Sequence, residues 1–87
     1  MDNLFFKEDG MEMKYVVLKS RDFLIFPPTM EHASVVRREE ITSAGFVEII
    51  PDGPLLVRAH CHGESVSLNV TSDPKDSDLL TRALNKY

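Results

Sequence analysis

The sequence predicts an α+β fold: a mainly antiparallel sheet of about five strands, built from hairpins and a meander, with a C-terminal amphipathic helix packed on one face. Three observations carry this. Runs rich in β-branched and aromatic residues, Met13–Lys19, Phe23–Phe26 and Ile41–Ile50, are separated by polar or proline-containing breaks. The stretch Leu55–Val70 alternates apolar and polar side chains on both sides of Gly63-Glu64. Leu79, Leu80, Ala83, Leu84 and Tyr87 fall on one stripe at helical spacing behind Asp73-Pro74.

In chain order, residues 1–10 read as a leader or, through Leu4–Lys7, as an added edge strand. Met13–Lys19 and Phe23–Phe26 form a first hairpin around Ser20-Arg21-Asp22, and their consecutive apolar positions predict burial on two sides. Pro27-Pro28 ends the second strand, because proline has no N–H for the ladder and restricts the residue before it. For Thr29–Glu40 two readings stay open, a short helix capped by Thr29 or an irregular connection with one helical turn. Ile41–Ile50 is a third strand closed by the turn residues Pro51-Asp52-Gly53-Pro54.

A two-residue or four-residue loop there sets Ile50 against Leu55, Phe46 against Ala59, Gly45 against His60 and Ala44 against Cys61. A second tight turn at Gly63-Glu64 sets Cys61 against Val66 and Ala59 against Leu68. The core face is then Val57, Ala59, Cys61, Val66, Leu68 and Val70, and the wet face is Arg58, His60, His62, Ser65, Ser67 and Asn69. In this register Gly45 leaves space beside His60, and Glu48 lands on the apolar side opposite Val57. Asp73 caps the final helix, and Asp76 and Asp78 favour its positive end.

At 87 residues the chain predicts one small α+β domain, 1–87, that buries about two thirds of the surface of its unfolded form. Oligomerisation is the expected way to bury more. Ten Lys plus Arg against 14 Asp plus Glu give a net charge of -4, with no basic cluster beyond Arg37-Arg38, which disfavours nucleic acid. Leu4-Phe5-Phe6 follows Asp2 and is too short for a signal peptide, and no run spans a bilayer. With one cysteine, the expectation is a cytoplasmic protein that does not act at a membrane.

His60 and His62 project from one face of a strand, so they can share one divalent transition metal, with Glu64 or His32 as a third ligand. The pattern His60, His62, Glu64 resembles the His-x-His and Glu arrangement of cupin barrels over these three residues only, and a single residue separates His62 from Glu64, so no family follows. The plain alternative is a wet sheet face. Cys61 points away from both histidines and reads as a buried thiol rather than a nucleophile. No Gly-x-Ser-x-Gly elbow or phosphate loop is present.

Arg58, His60, Ser67 and Asn69 form a polar strip suited to a small anion or a carboxylate. Val47, Ile49 and Leu56 fall on the same face and predict a subunit contact. The leading expectation is therefore a non-catalytic binding or regulatory module that acts through protein–protein contact and self-associates, with no cofactor. A metal-binding protein or metal-dependent enzyme using His60 and His62 is the second expectation, and an acidic inhibitor of a basic partner site the third.

Overall fold

A computed structural model of the protein describes residues 6–7 and 10–86. Its main sheet has five antiparallel strands, β1 (Phe6–Lys7), β2 (Gly10–Leu18), β3 (Phe23–Phe26), β4 (Ile41–Pro51) and β5 (Val57–His62). The order is β1-β2-β4-β5, with β3 on the same side of β2 as β1. A separate two-stranded ladder joins β6 (Glu64–Ser65) to β7 (Val70–Thr71), and the α-helix α1 (Asp76–Leu84) packs mainly on β5. The fold class matches the expectation from the sequence. Most of the leader reading lies outside the described residues, but Phe6–Lys7 pairs with Gly10–Met11 as an edge strand.

Apolar side chains cover both faces of β2 from Tyr15 to Leu18, because consecutive positions point to opposite sides of a pleated strand. On the helix side Tyr15 and Val17 meet Val47, Ala59 and Leu80, with Phe23, Ile25, Ile49 and Cys61 around them. On the other side Val16 meets Phe26, Ile41, Ala44 and Val70, covered by Val35, Val36 and Leu68. The first hairpin forms where expected, with Arg21 in the left-handed region (φ 76°) and Leu18 N–H donating to the Asp22 carbonyl at 2.7 Å. β2 is central, but among the described residues β3 is an edge strand rather than a doubly paired one. The 29–40 connection resolves as two 3-10 turns, His32–Ser34 and Arg38–Glu40.

Two pairings differ from the sequence reading. Phe46 pairs with His62, Val47 with Cys61, Glu48 with His60, Ile49 with Ala59 and Ile50 with Arg58. The loop between the strands is longer than either alternative considered, and Asp52 N–H donates to the Leu56 carbonyl at 2.8 Å. The resulting slip is odd, so it exchanges the faces of β4 relative to β5. Glu48 thereby leaves the apolar side.

The chain after His62 does not fold back on β5. Gly63 (φ 77°) turns it away, residues 66–69 form a turn ending at Asn69 (φ 57°), and Ser65 Oγ accepts the Leu68 N–H at 3.2 Å. Val66 is consequently 84% exposed instead of buried, while Leu68 and Val70 serve the core on the far side of the sheet. The space assigned to Gly45 is filled: a Cβ there would lie 2.5 Å from the His62 carbonyl oxygen and 3.3 Å from the Gly63 carbonyl carbon.

The helix stripe is as expected through Leu84, with Leu80 fully buried, whereas Tyr87 lies outside the described residues. α1 starts at Asp76 rather than Asp73-Pro74. Asp73 instead accepts the Lys75 N–H at 2.8 Å through its carboxylate and the Asp76 N–H at 2.9 Å through its carbonyl, which holds the turn ahead of the helix.

Thr81 lies outside the apolar stripe yet faces β5. Ser77, Thr81 and Asn85 recur every four residues, and they meet the outward backbone of that strand. Ser77 Oγ accepts Cys61 N–H at 2.8 Å, Thr81 Oγ1 accepts Ala59 N–H at 2.9 Å, and Asn85 Oδ1 accepts Val57 N–H at 2.8 Å. Asn85 Nδ2 also donates to the Val57 carbonyl at 2.7 Å. A helix therefore satisfies the edge of a sheet with side chains alone, where another strand would otherwise pair.

Candidate functional site

Among the described residues, the second sheet face is covered only at one end. The 29–40 connection and the β6–β7 ladder shield Val16, Ala44 and Phe26, and the rest of the face carries Glu12, Phe46, Glu48, Ile50, Arg58, His60 and His62. The two registers set Glu12, Glu48 and His60 in one row across β2, β4 and β5, and Lys14, Phe46 and His62 in the next. His62 Nε2 lies 3.7 Å from Glu12 Oε2, and the His60 and His62 rings stack with centroids 5.5 Å apart at 26°.

The rings continue inward. His62 stacks on Phe46 at 6.0 Å, Phe46 meets His32 edge-on at 6.3 Å, and His32 meets Phe26 edge-on at 5.4 Å. Lys14 Nζ sits 5.9 Å from the Phe46 centroid and donates to the Met30 carbonyl at 2.8 Å, which ties the covering connection to the sheet. His32 is buried, with its Nε2 2.9 Å from the Gly45 carbonyl oxygen, so that nitrogen carries a proton. Phe46 separates His32 from the exposed histidine pair, so it serves packing rather than a shared ligand set.

Other expected site residues are dispersed. Arg58 and His60 share the open face, but Ser67 and Asn69 sit on the turn beyond β6, where Ser67 Oγ accepts the Ala33 N–H at 3.2 Å. Glu64 leaves with the chain into the second ladder, opposite Thr71. The odd register moves Val47 and Ile49 from the expected contact face into the helix-side core, Val47 completely; Leu56 stays exposed. Among the described residues, no group of three or more His, Cys, Asp or Glu side chains is placed, as they stand, to hold a metal ion, and no helix is long and apolar enough to cross a membrane.

A buried polar cluster lies under α1. The Tyr15 hydroxyl donates to Asp76 Oδ2, which also accepts the Asp73 N–H at 2.9 Å. Burial, reinforced by the Asp76 hydrogen bond, raises the Tyr15 phenol far above its ordinary value. Burial also pushes the Cys61 thiol from 9.0 up to about 11, against a lowering by Ser77. Cys61 is thus a protonated packing residue at neutral pH.

A measurable consequence is slow alkylation. At pH 7 the native thiolate fraction is about a hundredfold below that of the unfolded chain, so iodoacetamide should label Cys61 much faster in urea than in buffer. Both shifted acids lose protons first in the unfolded state, so stability is retained below pH 9 and falls as pH rises toward 11. Native labelling as fast as denatured labelling at pH 7 contradicts this assignment.

A groove of about 590 Å³ runs between β3 and the distal flank of α1, lined by Leu18, Phe23, Leu24, Leu79, Ala83 and Leu84 with Arg21, Asp22 and Lys86 at its rim. It exists because α1 sits over β5 and leaves the β3 side of the helix-facing core half-covered. No protein-family model matches the chain, and neither a curated protein nor a solved structure matches it.

Proposed function

We propose that this chain is a non-catalytic binding module that acts through protein–protein contact and pairs with a second copy of itself along β3. The observation that carries the reading is the unequal treatment of the two sheet edges. Helix side chains close the outward backbone of β5, whereas among the described residues β3 pairs only with β2. β3 is Phe-Leu-Ile-Phe, without charge, and Leu24 is 41% exposed. An open apolar edge is a template for another strand, and its short length and the following Pro27-Pro28 limit how far such pairing runs.

Antiparallel pairing about a two-fold axis at Leu24 sets Phe23 of one copy opposite Ile25 of the other and keeps both helices on the same side. The groove beside β3 then lies against the added copy. The histidine face stays open in such a pair.

Leu24→Lys sets two like charges against each other at the axis, and it should weaken association at least about tenfold, read by native mass spectrometry and sedimentation. Val66→Lys, at an exposed position on the distant turn, should leave association unchanged. A wild-type protein that stays monomeric at every concentration, or an unaltered Leu24→Lys dimer, rejects this surface.

A further inference from the structure

We infer that the open half of the sheet is a site for one divalent transition-metal ion of the zinc type, held by His60 and His62 of β5 and Glu48 of β4, with Glu12 of β2 alongside. The inference does not depend on self-association. It rests on where the register places four side chains that sequence spacing scatters over fifty residues.

Residues two apart on a strand share a face and stand about 6.6 Å apart along it. Directly opposed residues on antiparallel strands have Cβ atoms about 4.5–5.5 Å apart. His60 and His62 satisfy the first relation, and Glu48 and His60 the second. The three therefore form a compact triangle of one carboxylate and two imidazoles above β4 and β5. Side chains of this length can bring nitrogen and oxygen donors within the roughly 2.0–2.2 Å that zinc requires. Glu12, opposite Glu48, is already 3.7 Å from His62 Nε2, so a second carboxylate reaches the same region.

The donor set decides the ligand class. Imidazole with carboxylate suits zinc and its first-row neighbours, whereas calcium or magnesium sites are built from oxygen donors. Three protein donors leave a fourth position for water or for a group from another molecule.

The two imidazoles stack on each other instead of converging, so binding must turn the rings. That rearrangement is local: the His62 and Glu12 side chains are 43% and 35% exposed, and the strands beneath them need not move. Among the described residues, Arg58 and Lys14 bring positive charge to the face. Arg58 lies opposite Ile50, beside the triangle, and the Lys14 ammonium is held by the Met30 carbonyl.

The test is a calorimetric titration of the untagged chain with zinc chloride, paired with the visible absorption of cobalt(II) as a report of coordination. The expected result is one ion per chain with a dissociation constant on the order of micromolar. His60→Ala, His62→Ala and Glu48→Gln should each weaken binding by about tenfold or more. Glu64→Gln should leave it unchanged. Far-ultraviolet circular dichroism checks that each variant is folded, which is expected at these surface positions. Leu24→Lys should bind zinc like the wild type, separating this site from the β3 edge. Failure to saturate at one ion per chain, or wild-type affinity in any of the His60, His62 or Glu48 variants, overturns the inference.

Discussion

Asp76→Ala should lower stability by about 1–3 kcal/mol, because it strands the buried Tyr15 hydroxyl, while the Asp73 N–H lies near enough to the surface to turn to water. The Asp76 carboxylate is 4% exposed and accepts from the Tyr15 hydroxyl and the Asp73 N–H. Tyr15 itself is completely buried in the centre of the helix-side core, so water cannot replace the lost acceptor. Tyr15→Phe removes the donor and leaves the carboxylate short of a partner, so it should also destabilise. The double variant should cost less than the sum of the two, since no tyrosine hydroxyl then remains to be satisfied. Urea unfolding of the four proteins measures this directly; additive costs would show that the two groups act separately.

Gly45→Ala should cost about 1–3 kcal/mol, the range for forcing a methyl into a filled site. For a domain of this size each kcal/mol corresponds to about 4–8 °C in Tm. The obstruction is backbone, the His62 carbonyl oxygen at 2.5 Å, and no rotamer change can remove it. The end of β5 must swing away from β4, and the His32 ring that meets the Gly45 carbonyl must follow. Chemical shifts should therefore move at His62, Gly63 and His32 as well as at residue 45. A variant that melts with the wild type would mean that this contact relaxes without cost.

Strands β2, β3 and β4 are legible in the sequence because turn residues bound runs rich in β-branched and aromatic side chains, and helix α1 because its apolar residues keep helical spacing. The pairing of β4 with β5 is not. Val47 and Ile49 on one side of β4 compete with Phe46 and Ile50 on the other, so alternation favours neither face and the loop length decides the register. The alternating Ser65–Val70 run mimics a strand, although Gly63 and Asn69 in the left-handed region and the Ser65 hydroxyl bend it into a turn. That two histidines share a face follows from their spacing alone. Their carboxylate neighbours do not, because Glu12 and Glu48 come from strands distant in sequence. The four-residue recurrence of Ser77, Thr81 and Asn85 is visible in the sequence, but it gains meaning only once β5 is known to lie at an edge.

The seal on β5 also sets an order of assembly. Its three contacts span 16, 22 and 28 residues, from Cys61–Ser77 through Ala59–Thr81 to Val57–Asn85. Loop-closure entropy rises only by about 0.6 kcal/mol for each doubling of length. The shortest loop thus carries most of the cost, and the later contacts add little. α1 should dock as a zipper that starts beside Cys61 and runs toward Val57, each turn of helix delivering the next acceptor to an N–H waiting on the strand.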